Sequence, residues 1–512
     1  MISKLKSFVL RHELLLVLIT VAILLRIPSL FEPYWYGDEG IYLTLGQAIR
    51  SGVKLYKEII DHKTPIIYWI AALSFSQFWF KFIFMWWNIA SIVLLYRFAL
   101  KLFFNKTTAV VAALLFMLST TLPSFEGNIA NGELFVIGFV LAGANVLANT
   151  TMFKRVMHQE KTQKKSAQTS QQNFFLFLGG IFFSLGILTK VPALFDAAAF
   201  GLLLFLDLFH KPDTKKLFQS LKQAMIFSAG IIVPILVSIV FFASQDSLAE
   251  YFQFGLMYNF RYSQSVAPPF SNSFLGLVFS FPGKAAIAGI VIGAMLVLRK
   301  TFSPQVRFLS IWFICALFGS LLSSRPYPHY VLQVFPPMAL ALATIIKKQR
   351  FSLNTAAVVF QPILFISILL LFNFGMYPTM LYYTRFVKFA TGKLSQQEYS
   401  KQFNWLMDDN YAVAKYLQQT TPVNERLFIW GTNPMLYPLA KKVPTGRFTV
   451  SFHIKDFNAY EETMRSVEQH APTVLITMKD ETGEFPEFYS YLFSRYVQVE
   501  ELSTMKIYRK IQ

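Results

Sequence analysis

The sequence is poor in charged residues, in acidic residues and in cysteine. Charged residues make up 15% of the 512 residues, whereas about a quarter is usual in soluble domains. The single cysteine, Cys315, lies in an apolar run, so the chain can form neither an intramolecular disulfide nor a multi-cysteine metal site. This composition excludes a disordered chain, a collagen-like chain and a cytosolic enzyme.

Hydrophobic residues are abundant instead. They make up 54% of the chain, and 55 Phe and 23 Tyr are among them. Apolar runs of about 20 residues recur between short basic loops, and this is the length that crosses a hydrocarbon core of ~30 Å. The runs are continuous rather than alternating, which favours helices over a β-barrel. The sequence therefore predicts a polytopic α-helical membrane protein.

We predict about 11 transmembrane helices, with 12 or 13 as alternatives. The predicted spans are 13–30, 83–101, 108–123, 132–153, 174–190, 192–209, 223–243, 275–298, 306–323, 328–346 and 354–376. The apolar segment 65–80 is short for a crossing. It is predicted to be a juxtamembrane or re-entrant helix.

Basic residues outnumber acidic ones, 47 to 28, which gives a net charge of +19. Such a charge is also typical of nucleic-acid-binding proteins. Here the basic residues cluster in short loops, as cytoplasmic loops of membrane proteins do, so we predict no nucleic-acid partner. The basic loops lie near 97–106, 154–172, 210–222, 299–307 and 347–350. They predict a multi-pass plasma membrane protein with a cytoplasmic N-terminus and an uncleaved first span.

The polar tail differs from the rest of the chain. It predicts a small extracytoplasmic α/β domain at 377–512, after a membrane domain at 1–376. Its alternating stretches are 426–430 and 473–477, and its helical stretches are near 397–419 and 457–470.

Two adjacent carboxylates, Asp38 and Glu39, lie in the first outer loop, 31–64, just past a span and among aromatic residues. Asp38 is predicted to be the N-cap of a helix, with Glu39 in its first turn, and capping alone would explain the pair. A carboxylate at a membrane surface is also a candidate general base. Its oxygens suit Mg²⁺ or Mn²⁺, so Asp38 is a candidate metal ligand too.

Cations and a further acid stand in other outer segments. Lys63 precedes Pro65, which fits helix position N1. Lys63 can extend to lipid headgroups or bind a phosphate beside a helix N-terminus. Glu133 opens a span, where capping is the simpler explanation. Lys190 lies between two apolar runs and is expected to face the bundle interior or the outer interface, because a cation exposed to lipid is costly.

Arg325, His329 and Tyr330 lie together where the tenth predicted span begins. This combination suits an anionic ligand such as a lipid phosphate, although Arg and Tyr also anchor helix ends at the interface. Each signal is weak by itself. The predicted topology, however, gathers these acids and bases on one membrane face, as a site for a lipid phosphate and a polar acceptor requires.

Several short motifs occur in an order that resembles a known family. They are Gly37-Asp38-Glu39, Asp61-His62-Lys63-Thr64-Pro65, Ala130-Asn131-Gly132-Glu133, Gly186-Ile187-Leu188-Thr189-Lys190, Pro328-His329-Tyr330 and Ile429-Trp430-Gly431-Thr432-Asn433-Pro434. The ordered set resembles the superfamily of dolichyl-phosphate-mannose–protein mannosyltransferases and aminoarabinose transferases, which is glycosyltransferase family 39-like with a GT-C fold. Thr64 stands where that family usually has proline.

The resemblance implies a glycosyltransferase that moves a sugar from a polyprenyl-phosphate donor to an extracytoplasmic glycan, glycolipid or protein acceptor, with inversion. It implies that Asp38 is the base or a ligand of a divalent metal, Mg²⁺ or Mn²⁺, and that Glu39 orients Asp38. It further implies that Glu133 is a second acid. The residues expected to bind the donor phosphate are Lys63, Arg325, His329 and Tyr330.

Two other classes of function are compatible with a polytopic chain. A transporter or flippase of lipid-linked sugars would also have many spans and charges within the membrane. Transporters often contain inverted repeats and broken helices at the midplane, but no clear repeat is visible here and the candidate residues gather outside. A scaffold that binds cell-wall glycan would leave Asp38 and Glu39 without a role.

Overall fold

The computed structural model describes residues 2–158, 167–206, 214–264, 266, 273–347 and 351–511. Parts of the predicted cytoplasmic loops 154–172, 210–222 and 347–350, and of the predicted outer loop 244–274, lie outside these residues.

A helix coincides with each predicted span. These helices are Ile2–Arg26, Gln77–Phe103, Lys106–Thr121, Gly132–Leu147, Ala167–Ile187, Ala193–Leu203, Thr214–Ser244, Phe281–Val297, Pro304–Ser320, Phe335–Ala343 and Leu353–Leu371. Among the described residues, four helices are long and apolar enough to cross a membrane, or up to five if the bent pair Gly132–Leu147 and Thr151–His158 is one span. The count of 11–13 spans stays a prediction.

Side-chain caps explain where several of these helices begin. Asn105, Ser303 and Ser352 each accept a hydrogen bond from the backbone N–H three residues later. Each cap satisfies one of the N–H groups that a helix leaves unpaired at its start.

The segment 65–80 does not form one helix. It contains the seven-residue helix Ile66–Ala72, followed by the start of Gln77–Phe103. At 1.5 Å per residue the short helix is only about 10 Å long, far less than the ~30 Å hydrocarbon core. This agrees with the prediction that the segment is not a crossing.

The chain forms two compact units that do not follow chain order. The first consists of residues 1–27, 84–240 and 260–379, and the second of residues 28–83, 241–259 and 380–512. The first outer loop thus belongs to the same unit as the tail. The linear division into 1–376 and 377–512 stays a prediction.

The second unit contains a four-stranded sheet in the order β1-β2-β4-β3. Its strands are β1 Phe428–Trp430, β2 Val474–Met478, β3 Tyr496–Glu501 and β4 Met505–Lys510. Strands β1 and β2 are parallel, and Ile429 is opposite Ile476. The other two pairs are antiparallel. The predicted strands near 426–430 and 473–477 are therefore confirmed, while β3 and β4 were not predicted.

The tail also contains several helices besides this sheet. The helices of the tail are Thr379–Ala390, Gln396–Lys401, Met407–Thr420, Leu436–Ala440, Ser451–Asp456, Tyr460–His470 and Pro486–Arg495. Trp430 is fully buried and packs on Phe485 with ring centroids 5.0 Å apart. Gly431 directly follows β1 with φ +143°, and a Cβ there would lie 2.3 Å from the side chain of Met478. Glycine is therefore required at this position.

Candidate active site

The helix that carries Asp38 is Gly37–Arg50, which packs unusually close to its neighbours in the second unit. A Cβ at Gly40 would lie 2.8 Å from the backbone nitrogen of Met435, and a Cβ at Gly46 would lie 2.6 Å from a backbone carbon of Ala71. The Thr44 hydroxyl also donates to a backbone carbonyl of the tail, at 3.2 Å. These contacts fix the helix, and with it the position of the Asp38 side chain.

Asp38 lies in the first turn of this helix rather than at its N-cap. The N-cap is Tyr36, which has an extended backbone and makes no side-chain capping bond, so the predicted capping role of Asp38 is wrong. The Tyr42 hydroxyl donates to Asp38 Oδ2 at 3.3 Å, and Lys63 Nζ lies 3.5 Å from the same oxygen. The Asp38 side chain is 29% exposed, which leaves it accessible to a ligand.

Lys63 is buried between two carboxylates. Its Nζ lies 3.5 Å from Asp38 Oδ2 and 3.5 Å from Asp61 Oδ2, and 5.0 Å from the ring centroid of Tyr42. Only 6% of the Lys63 side chain is exposed. This geometry differs from that of a lysine extending to lipid headgroups, which would keep its ammonium in water.

Two tyrosines hold the backbone of Lys63. The Tyr56 hydroxyl donates to the carbonyl of Lys63 at 2.7 Å. The Tyr68 hydroxyl accepts from the N–H of Lys63 at 3.0 Å and donates to Asp61 Oδ2 at 2.7 Å. Pro65 is the N-cap of helix Ile66–Ala72, one position before the predicted N1. Buried hydrogen bonds therefore fix the backbone conformation of the loop that carries Lys63.

Glu39 points into a buried ionic cluster. Lys81 Nζ lies 3.1 Å from Glu39 Oε1 and 2.7 Å from Glu32 Oε2, and all three side chains are at most 2% exposed. The Tyr382 hydroxyl donates to the other oxygen of Glu32. This arrangement anchors the turn that carries Asp38 and suits the orienting role that was predicted for Glu39.

Two histidines, His62 and His453, lie close to Asp61, the buried acid beside Lys63. Asp61 Oδ1 lies 2.9 Å from His62 Nδ1 and 3.7 Å from His453 Nε2. Burial raises the pKa of Asp61, but Lys63, His62 and His453 lower it more, so the net pKa is well below the usual value. Burial lowers the pKa of His453 to about 3. The three side chains Asp61, His62 and His453 are arranged so that they could hold a metal ion.

A second group of predicted residues lies in the first unit. Glu133 follows the N-cap Asn131, whose side chain makes no capping bond, and its carboxylate forms an ion pair with Lys190. Lys190 Nζ lies 4.3 Å from the ring centroid of Tyr330. Glu133, Lys190 and Tyr330 therefore form one cluster, although Lys190 was not assigned a role from the sequence.

The rest of the 325–330 segment is also engaged within the first unit. His329 Nδ1 pairs with Glu126, and both side chains are less than 5% exposed. The His329 and Tyr330 rings meet edge to face with centroids 4.7 Å apart. The Arg325 guanidinium lies 4.3 Å from the ring centroid of Tyr262. The structure thus brings His329 and Tyr330 together.

The predicted site residues fall in both units. Asp38, Glu39 and Lys63 belong to the second unit, and the others to the first. That all of them serve one pocket stays a prediction. His453 and Lys81 were not predicted, because a lone histidine or lysine far along the chain carries no local signal.

Comparisons with known proteins agree with this architecture. Residues 67–257, less than half of the chain, match the sequence model of the family described as dolichyl-phosphate-mannose-protein mannosyltransferase. The structure of ArnT from Cupriavidus metallidurans bound to undecaprenyl phosphate is similar, with a TM-score of 0.60 and 13% identity over 98% of each chain. The structure of the same protein in the apo state is similar too, with a TM-score of 0.57 and 13% sequence identity over 97% of each chain. No curated protein matches the sequence significantly.

These similarities confirm the predicted resemblance and the predicted fold class. The chain is a polytopic α-helical membrane protein of the GT-C type with a small C-terminal sheet. At 13% identity the structural likeness shows the fold alone. The positions of the termini relative to the membrane stay predictions.

Proposed function

We propose that this chain is an integral membrane glycosyltransferase that transfers a sugar from a polyprenyl-phosphate donor to an extracytoplasmic acceptor, with inversion. The observation that carries the proposal is the pair of Asp38 and Lys63, a partly exposed carboxylate 3.5 Å from a buried ammonium. The reaction needs these two charges: one to take a proton and one to stabilise a leaving phosphate. The family match and the fold support the same reaction class.

Lys63 would bind the donor phosphate. When the bond between sugar C1 and the phosphate oxygen breaks, negative charge develops on that oxygen, and a fixed ammonium in a water-poor site stabilises it. Lys63 is 6% exposed and its backbone is held by Tyr56 and Tyr68. The cation is therefore already in position before the reaction begins. Polyprenyl phosphate leaves without a covalent enzyme intermediate.

Asp38 would be the general base. The acceptor oxygen or nitrogen attacks C1 from the face opposite the phosphate, and its proton passes to the Asp38 carboxylate. The 29% exposure of Asp38 lets an acceptor reach it. In this proposal Glu39 is a positioning residue, because its carboxylate is held by Lys81.

A divalent metal fits poorly at Asp38. Lys63 Nζ lies 3.5 Å from Asp38 Oδ2 and takes the place that a cation would occupy there. The proposed transfer therefore uses no Mg²⁺ or Mn²⁺ at this carboxylate.

In the first unit, Arg325, His329 and Tyr330 are proposed to bind the donor, and Glu133 is proposed as a second acid. The Glu126 carboxylate fixes the His329 ring, and Lys190 links Glu133 to Tyr330. Such fixed rings and charges suit an anionic headgroup.

The test is a transfer assay with the purified full-length chain. Polyprenyl-phosphate sugars with a labelled sugar are incubated with the protein and with membrane extracts, and the labelled fraction identifies the acceptor. We expect the wild type to transfer label and Asp38→Asn and Lys63→Met to lose transfer. Matched controls are Asp246→Asn and Lys57→Met, an ion pair in the same unit with an exposed Asp246 and a partly exposed Lys57, and both should leave transfer unchanged.

The outcomes separate the functional classes. No transfer from any donor, together with movement of the lipid-linked sugar across liposomes, would establish a transporter or flippase instead. Binding of cell-wall glycan without either activity would establish a scaffold. Equal loss in the variants and in the control pair would contradict the roles given to Asp38 and Lys63.

A further inference from the structure

The oxygens of Asp61 divide their contacts between two sides. Oδ2 accepts a hydrogen bond from Tyr68 at 2.7 Å and lies 3.5 Å from Lys63 Nζ. Oδ1 faces His62 Nδ1 at 2.9 Å and His453 Nε2 at 3.7 Å. One oxygen thus belongs to the lysine, and the other lies among two imidazoles.

His453 is a buried polar side chain without the partners that burial normally demands. It lies in helix Ser451–Asp456 and is fully buried. Among the described residues, neither ring nitrogen has a hydrogen-bond partner. Buried polar groups are nearly always satisfied, so an unsatisfied one indicates a ligand that completes the site.

We propose that Asp61, His62 and His453 bind one divalent transition-metal ion, and that this ion is of the Zn²⁺ class. Each side chain offers one ligand atom, and these atoms lie within 4.8 Å of one another. Two imidazole nitrogens and one carboxylate oxygen are typical zinc ligands, and a fourth position would remain open to water. Mg²⁺ and Ca²⁺ are disfavoured because they prefer all-oxygen sites.

The surroundings hold these ligands in place. Asn259 donates to the carbonyl of His62 at 2.8 Å, and Tyr68 fixes the second oxygen of Asp61. The rings of Phe452 and Phe457 lie 4.3 Å and 6.3 Å from the His453 ring, measured between centroids. Hydrogen bonds to the ligands and an apolar shell are the usual supports of a metal site.

The ion would join two distant parts of the chain. Asp61 and His62 belong to the loop that carries Lys63, whereas His453 comes from a helix of the tail. Metal binding would therefore stabilise the second unit and fix the loop. Lys63 adds a positive charge nearby, but it contacts Oδ2 and not the oxygen that faces the histidines.

The test measures metal binding and stability without any sugar substrate, so its result is independent of the proposed transfer reaction. The full-length chain, purified without a histidine tag, is stripped with a chelator and titrated with Zn²⁺. Bound metal is counted by elemental analysis after gel filtration, and thermal unfolding is followed. His453→Gln is compared with His470→Gln, a histidine on an exposed helix end.

We expect one tightly bound Zn²⁺ per chain and a Zn²⁺-dependent rise in unfolding temperature in the wild type and in His470→Gln, and neither effect in His453→Gln. Should His453→Gln fail to fold, Co²⁺ added to the wild type provides the decision, because a four-coordinate site gives intense visible absorption. A wild type that retains no Zn²⁺ and shows no such absorption would overturn the proposal. Equal retention by His453→Gln would do the same.

Discussion

Replacing Asp38 by asparagine should separate catalysis from stability. The substitution keeps the shape of the side chain and removes its charge. The ion pair with Lys63 spans 3.5 Å and Asp38 is 29% exposed, and such a pair contributes about 0–1 kcal/mol. A carboxylate in the first helical turn contributes about 0.3–1 kcal/mol through the helix dipole. The free energy of unfolding should therefore fall by about 2 kcal/mol at most.

The rate should fall much further. A general base contributes about 10²–10⁴-fold, which corresponds to about 2.7–5.5 kcal/mol in activation free energy. Initial rates of label transfer at saturating donor and thermal unfolding are measured on the same preparations. Wild-type turnover by Asp38→Asn would refute the role of Asp38 as base.

Asp61→Asn provides the contrasting case in the same loop. Asp61 is fully buried beside Lys63, so its loss leaves a buried ammonium with one partner fewer, and breaking a buried pair costs about 3–5 kcal/mol. Asp246→Asn removes an exposed carboxylate, 86% exposed, and should change neither property. If Asp38→Asn destabilised the protein as much as Asp61→Asn does, the rate loss would report unfolding, and the reasoning from exposure would be wrong.

Three further predictions concern the second unit. Gly40→Ala should destabilise this unit by about 1–3 kcal/mol through overpacking, because the new Cβ would lie 2.8 Å from a backbone atom. A Cβ at Gly37 would have no atom within 4 Å. Gly37→Ala should therefore leave the unfolding temperature unchanged or raise it. Lys81→Met should cost about 3–5 kcal/mol in the free energy of unfolding, because two buried carboxylates lose their cation. Burial raises the pKa of Glu481, but hydrogen bonds from Lys455 and its neighbours lower it more, to a net value below the usual one. A carboxylate whose folded pKa is lowered stabilises the fold at any pH above its unfolded pKa, which is about 4.3 for Glu481. The wild type should therefore unfold at a higher temperature than Glu481→Gln at neutral pH. This difference should shrink as the pH falls below about 4.

Local patterns allowed the secondary structure to be predicted. Apolar length identified the long helices, and the stretches 426–430 and 473–477 identified β1 and β2, which are buried along their whole length and therefore rich in apolar residues. Strand β3 escaped prediction since five of its six residues are exposed and neither of its faces is buried. The helix start at Gly37 was misjudged, because capping preference cannot distinguish Asp38 as N-cap from Asp38 in the first turn.

The pairing of charges could not be predicted in the same way. Asp38 and Lys63 were identified because short motifs contain them. That Asp61 is a second carboxylate paired with Lys63 became evident only from the structure. His453 lies almost 400 residues from Asp61 in sequence, and Lys81 sits in an apolar helix. Contacts between such distant positions depend on tertiary packing and leave no periodic signal.

The burial of the charges around Lys63 orders the steps of the proposed transfer. Lys63 Nζ lies 3.5 Å from both Asp38 Oδ2 and Asp61 Oδ2. Asp61 is fully buried and bonded to Tyr68, whereas Asp38 is partly exposed. In the proposed transfer, a donor phosphate that binds Lys63 would therefore displace Asp38, because Asp61 is buried and cannot move into solvent. The displaced carboxylate would lose a cation and gain a neighbouring anion, and each change favours the protonated form of a carboxylate. In the proposed transfer Asp38 would thus become a stronger base only once the donor is bound. Steady-state kinetics should then show the donor binding first, and a random order of binding would contradict this coupling.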